Sequence, residues 1–207
     1  MTQITIPQPR KSPVQARSTA TVDAILEAAA RILESEGFEG YTTNAIAKRA
    51  GVSIGSLYQY FPNKDAVTAA LVMADAMRLH DEFHEAAEAT RGKEFRVQLN
   101  ALIDVVVAHQ LDRPALARLI DVEEHRLAAD PGLQAKHESV LALIRDLLVA
   151  NKVDLPFDLD AVAKDLFGMV HGMCDLAGDY GETDPDHLKA RIRHAVLSYL
   201  GGQVRSS

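Results

Sequence analysis

Apolar residues recur along this chain at three- and four-residue spacings almost from end to end. That is the period of amphipathic helices, and the period-two alternation of strands is missing. From Thr21 onward, Val22, Ile25, Leu26, Ala29, Ile32 and Leu33 mark one face of a first helix. Gly37 is placed to stop it, with Phe38 available to pack back. Two short segments follow. Thr43 is expected to cap a helix over 44–50 that ends at Gly51, where a positive φ is required. Ser53 is expected to cap a second over 54–60, closed by Pro62. Asn63 then caps a long helix that opens KDAVTAALVMADAM and ends in the high eighties, before Arg91-Gly92. Five more helical patterns cover 94–112, 114–129 with Pro114 at its first position, 132–151, 159–180 and 186–200. Asp-Pro pairs at 130–131 and 184–185 and Leu-Pro at 155–156 punctuate the joins. The pattern predicts an all-α fold of about nine helices without internal repeats.

Composition narrows this. With 207 residues, 47% hydrophobic and 25% charged, the chain has a globular make-up and length enough for a core without covalent staples. A single cysteine, Cys174, cannot form an internal disulfide, and no apolar run approaches the roughly 18 residues of a membrane span, so a cytoplasmic protein with no membrane partner is expected. Residues 1–19 contain Pro7, Pro9 and Pro13 beside Arg10, Lys11 and Arg17 and lack the apolar core of a signal peptide. They read as a flexible basic arm. The net charge of −7 argues against a uniformly basic nucleic-acid binder, but it is unevenly placed. Residues 1–70 hold seven Lys and Arg against six Asp and Glu, whereas 71–207 hold 15 against 23.

The stretch 42–65, TTNAIAKRAGVSIGSLYQYFPNKD, carries the most specific chemistry. Ile46, Ala47, Ala50, Val52, Leu57 and Phe61 supply an apolar inner surface for a helix, a tight turn at Gly51 and a second helix. This is the arrangement of a helix-turn-helix, whose second helix enters a DNA major groove N-terminus first. The outward residues suit that task. Thr42, Thr43, Ser53, Ser56, Tyr58, Gln59 and Tyr60 offer hydroxyl or amide groups to phosphates and base edges, and Lys48 and Lys64 add charge. Gly55 leaves room for close approach to the groove floor. The bland alternative is a helical hairpin used only for packing, which would leave those hydroxyls and tyrosines idle.

Residues 42–67, with the preceding ILESEGFEGY, resemble the DNA-binding signature of TetR-family transcriptional regulators in both order and spacing. The resemblance covers about residues 20–70. It implies a DNA-binding domain over 20–66 and, over 67–207, a helical domain that binds a small-molecule effector and forms a homodimer. It places Thr43, Tyr60 and Lys64 on phosphates of a double-stranded operator, and Ile54, Gly55, Ser56 and Tyr58 at groove-facing positions. Many relatives carry Lys or Arg where Ile54 stands, so an apolar contact to a thymine methyl replaces a guanine contact there. The family's usual dimer joins two helices per subunit across a two-fold axis. Gly168 and Gly172 with Leu188, Ile192, Val196 and Tyr199 are the corresponding interface candidates, and intramolecular core is the alternative.

Outside that segment the chemistry is sparser. Met169, His171, Met173 and Cys174 lie on one helical pattern, and His109 and Gln110 end another. They fit either the wall of an adaptable ligand pocket or a satisfied core histidine among filler methionines. The acidic body favours a neutral or cationic lipophilic effector. LHDEFHE places His80 and His84 at i and i+4, one letter from a zinc-protease pattern, but Asp81 stands where that pattern needs Glu, and the segment reads better as a solvated helix face. Glu123, Glu124, His125 and His137 read as surface charge. No metal, cofactor or catalytic residue is expected. The leading reading is a ligand-responsive DNA-binding repressor. The alternatives are an enzyme with a DNA-binding head that uses the histidine and acid clusters, and a ligand-independent DNA-organising protein.

Overall fold

The computed structural model describes residues 16–155 and 157–201. Among them are nine helices and no strand: α1 Ala16–Gly40, α2 Thr43–Arg49, α3 Ile54–Tyr60, α4 Lys64–Thr90, α5 Phe95–Asp112, α6 Pro114–Arg126, α7 Pro131–Ala150, α8 Leu159–Asp179 and α9 Pro185–Tyr199. The expected all-α fold is therefore met, and most helix ends fall within a residue or two of the sequence reading. α6 stops at Arg126 rather than 129, where residues 127–129 form a turn, and three other ends differ for local reasons. α1 begins at Ala16, ahead of its apolar stripe, and Ser18 Oγ donates to Tyr60 Oη at 3.2 Å, a contact that periodicity does not encode. Gly37, at φ 62° and ψ −160°, does break α1, but a further helical turn continues to Gly40 beyond the kink. The cap of α2 is Thr42 rather than Thr43, because Thr42 Oγ1 is the atom that accepts from the Ala45 N–H, at 3.1 Å.

The chain divides into two compact units. The first runs through Asp75 and adds residues 119–133, and the second comprises 76–118 and 134–207, of which residues to 201 are described. In the first unit α1 packs on α2 and α2 on α3. Ile25, Ala29, Ile32, Tyr41, Ile46, Leu57, Phe61 and Val67 are buried there, as the helix-turn-helix pattern requires. Residues 119–133 belong to this unit despite their distance in sequence, contributing buried Ile120, Leu127 and Leu133.

The second unit is built on α5, α8 and α9, which pack against one another. Its core comprises Phe95, Leu99, Ile103 and Val107 of α5, Ile144 and Leu148 of α7, Val162, Leu166 and Cys174 of α8, and Leu188, Ile192 and Val196 of α9. The apolar period of α9 is thus consumed inside the protomer. This corrects the interface assignment for three residues: Leu188, Ile192 and Val196 are at most 1% exposed and have no surface to offer a partner. Among the described residues, no helix is long and apolar enough to cross a membrane.

Candidate nucleic-acid interface

The turn between α2 and α3 is set by its backbone. Gly51 adopts φ 70°, the Val52 N–H reaches back to Ala47 O at 3.0 Å, and the Gly51 N–H reaches Lys48 O at 3.3 Å. These are the paired bonds of a Schellman ending, and only glycine takes that φ without strain. Ser53 then opens α3 by accepting the Ser56 N–H at 3.0 Å, and its Oγ pairs with Ser56 Oγ at 2.8 Å. Leu57 (0% exposed) and Phe61 (1%) anchor the inner face of α3. With those two positions held, the helical period sends Ile54, Gly55, Tyr58 and Gln59 to the surface.

Every nucleic-acid candidate from the sequence lies at least partly exposed. Thr42, Lys48, Ser53, Ile54, Gly55, Tyr58, Gln59 and Lys64 are exposed, and Thr43, Ser56 and Tyr60 are half-buried. Ile54 and Tyr58, at 37% and 42%, are large apolar surfaces left on a seven-residue helix. Side-chain bonds already orient part of the face: Thr43 Oγ1 lies 3.1 Å from Tyr58 Oη, and Ser18 holds Tyr60. A Cβ added at Gly55 would meet nothing nearer than Ser53 Oγ at 3.8 Å, so the open ground beside Ile54 and Tyr58 is real. α4 opens with a bond from the Ala66 N–H to Asn63 Oδ1 at 2.9 Å. In the core of the first unit, Thr68 Oγ1 donates to Tyr41 Oη at 3.2 Å, and burial pushes the Tyr41 phenol up to about 12, with the Thr68 bond opposing. The arm residues Arg10 and Lys11, and the side chain of Arg17, lie outside the described residues.

The second unit holds a cavity of about 410 Å³ between α4, α5 and α7. Leu102, Leu143 and Leu147 give it an apolar wall, and His84, Glu88, Arg91, Gln98, Ser139 and Asn151 a polar one. Gln98, 8% exposed, ties the α5 entrance to the α7 exit by donating to Lys93 O at 2.6 Å and Asn151 Oδ1 at 3.2 Å. None of the six residues singled out as pocket candidates lines this cavity. Cys174 is core, and Met169 and Met173 are half-buried against that core. His171 pairs with Asp175 at 2.9 Å, one turn along α8. Gln110 is buried beside Gly178, where an added Cβ would come within 2.6 Å of its amide. His109 is half-buried. Gln98 and Asn151 carried no sequence signal, because a bond between amides 53 residues apart depends on which helices meet.

Of the interface candidates, Gly168 is exposed and Gly172 half-buried, and a Cβ at either meets nothing within 4 Å. Tyr199 is half-buried and donates to Asp165. Leu176 and, at the C-cap of α8, Tyr180 continue the four-residue spacing of the two glycines at 57% and 86% exposure. Of the acid-imidazole cluster, Glu123 pairs with Arg126 at 2.6 Å on its own helix, the side chains of Glu124 and His125 are not described, and His137 rests on the Phe167 ring at 5.6 Å.

Comparison with known proteins agrees with this architecture. Residues 25–71 match the family model described as bacterial regulatory proteins, tetR family, and residues 96–200 match the tetracyclin repressor-like C-terminal domain. The chain is 26% identical over 118 residues to the HTH-type transcriptional regulator UidR of Escherichia coli K12, covering 52% of this chain and 60% of that protein. It is 32% identical over 123 residues to the nucleoid occlusion factor SlmA of Haemophilus ducreyi, covering 58% and 56%. The chain thus spans little more than half the length of these curated relatives. The fatty acid degradation regulator FadR of Bacillus halodurans shares the fold at a TM-score of 0.72 and 21% identity, over 90% of this chain and 97% of that one. With a Schellman-turned helix pair inside the first match and the α5–α8–α9 core inside the second, the chain belongs to the TetR family of bacterial regulatory proteins.

Proposed function

We propose that this protein is a homodimeric DNA-binding transcriptional regulator, a repressor released from a palindromic operator when a small molecule occupies the second unit. One observation carries the reading. Leu57 of α3 and Phe61 at its end are fully consumed by the core, while Ile54, Gly55, Tyr58 and Gln59 stand exposed. Ile54 suits a thymine methyl, and the tyrosine and threonine hydroxyls and the amide of Gln59 suit phosphates and base edges. Lys48 and Lys64, both exposed, add the salt-sensitive part of the affinity.

The effector site in this reading is the cavity of about 410 Å³, within the range of small-molecule pockets. Its leucine wall takes an apolar body and its Gln98–Asn151 side a polar end, in keeping with a neutral or cationic lipophilic ligand. The dimer uses the open stripe of Gly168, Gly172, Leu176 and Tyr180 on α8. α4, one helix from Lys64 to Thr90, supplies residues to the DNA-binding unit at its start and to the cavity at its end. A coupling of 1–3 kcal/mol through it changes operator occupancy roughly 5- to 150-fold.

Selection of bound sequences from random DNA, repeated across salt concentrations, tests the reading. A palindrome with half-sites one helical turn apart, about 34–36 Å, is expected. Weak, sequence-blind binding that fades with salt would overturn it. The likeness to SlmA favours one second reading, a DNA-organising protein without an effector, and many dispersed sites in the same selection would favour that instead.

A further inference from the structure

The histidine pair of LHDEFHE does not sit on a simple solvated face. His80 and His84 lie one turn apart on α4, with ring centroids 4.4 Å apart and ring planes inclined at 44°. Both rings aim Nε2 at one atom, Ser139 Oγ of α7, at 3.0 Å and 3.2 Å. On the far side of the first ring, His80 Nδ1 lies 3.0 Å from Asp81 Oδ1. The His80 side chain is only 18% exposed, and His84 and Ser139 form part of the cavity wall.

The order Asp81–His80–Ser139 is that of a nucleophilic relay, but the surroundings do not support one. Ser139 lies inside α7, where backbone N–H groups are consumed by the helix, so no preorganised donor pair faces a developing oxyanion. The second imidazole on the same oxygen also has no part in such a relay. What the geometry does provide is two nitrogen donors converging on a point. A hydroxyl has one proton to donate, so it cannot satisfy two imidazole lone pairs at once. With Asp81 accepting the Nδ1 proton of His80, that ring presents its Nε2 lone pair. The arrangement then closes either with His84 donating its Nε2 proton to Ser139, or with both lone pairs bare and a cation between them.

We propose that His80 and His84 form a binding site for a borderline divalent transition-metal ion such as Zn²⁺, joined or flanked by the Ser139 hydroxyl. Zinc takes imidazole nitrogen at about 2.0–2.1 Å, so each Nε2, now 3.0 or 3.2 Å from Ser139 Oγ, would close by about 1 Å onto an ion placed where the two rings converge. Asp81 is the outer-shell carboxylate that fixes the tautomer and orientation of a ligating histidine. Glu88 lies one turn beyond His84 and favours a cation there, while Lys136 of α7 opposes one. Mg²⁺ and Ca²⁺, which prefer oxygen donors, are excluded by this ligand set. Among the described residues, no group of three or more His, Cys, Asp or Glu side chains is arranged to hold a metal. An ion held by these two imidazoles would therefore keep open coordination positions and bind reversibly, unlike a structural zinc. A bound ion would tie α4 to α7 at the cavity wall.

Calorimetric titration of the full, tag-free chain with Zn²⁺ and separately with Mg²⁺ tests this, using wild type, His80→Asn, His84→Asn and Ser139→Ala. One Zn²⁺ per chain and no Mg²⁺ is the expected result. Each histidine variant should bind about tenfold or more weakly, since losing even an outer-shell partner costs that much. Ser139→Ala should stay within about threefold. Absence of Zn²⁺ binding by wild type would overturn the proposal, as would unchanged affinity in either histidine variant. Should a variant lose its helical circular dichroism, the ¹⁵N shifts of the wild-type rings decide: Zn²⁺ must move the Nε2 signals of His80 and His84, and unmoved signals would refute the site.

Discussion

At the scale of single residues, the head depends on a few atoms whose roles can be separated by substitution. Gly51 holds φ 70° in the α2–α3 turn with nothing within 4 Å of an added Cβ, so Gly51→Ala isolates backbone strain from crowding. A loss of about 1–2 kcal/mol is expected in urea unfolding. Tyr41 offers a pH test. Its folded pKa of about 12 lies above the ordinary value of 10, so the unfolded chain releases the phenolic proton first. Its contribution is complete below pH 10 and disappears as the pH rises from 10 to 12, at up to about 1.4 kcal/mol per pH unit. Unfolding free energies at pH 9 and pH 11 should show a steeper fall in wild type than in Tyr41→Phe. Lys48 is exposed, and in the proposed function it contributes charge without reading bases. Lys48→Ala should weaken binding to all DNA sequences alike and lower the salt slope by about one, read from affinities at several ionic strengths.

At the scale of elements, the two short helices and the nine-helix order were readable because their signals are local. Ser53 capping α3, Asn63 capping α4, Asp158 capping α8 and Asp184 capping α9 are side-chain bonds to N–H groups two or three residues away. The shift of the α2 cap from Thr43 to Thr42 shows the limit of that reading. Two adjacent threonines carry equal propensity, and Thr43 Oγ1 is instead turned toward Tyr58, a partner on another helix. The cavity depends on a contact of the same non-local kind. Gln98→Leu would remove both of the Gln98 hydrogen bonds, to the carbonyl of exposed Lys93 and the amide oxygen of half-buried Asn151. It should cost about 1–3 kcal/mol and speed amide exchange at the start of α5 and the end of α7.

At the scale of the whole molecule, the question is which surfaces remain once each unit has satisfied its own core. α9 shows why periodicity misleads here. An apolar stripe at Leu188, Ile192 and Val196 looks the same whether it meets its own protomer or a second one, and the core of the second unit takes it. α8 keeps the opposite kind of surface, with Gly168 and Gly172 open and Leu176 and Tyr180 exposed. Gly172→Arg should not destabilise the monomer, since an added Cβ meets nothing within 4 Å and glycine is a poor residue inside a helix, and it should shift light scattering from dimer to monomer; an unmoved dimer would remove that stripe as the interface.

The sequence by itself determined the helical class, the positions of the nine helices, the tight turn at Gly51 and the outward residues of α3. Each of these follows from interactions spanning a few residues, which composition and spacing record directly. Tertiary structure alone decided that residues 119–133 join the first unit, that Met169, Met173 and Cys174 serve the core, and that Gln98 meets Asn151 beside a cavity. It also decided that Ser139 stands between His80 and His84. Each of those contacts joins residues dozens of positions apart, and which buried faces meet is set by the packing of whole helices, where many apolar stripes are locally equivalent.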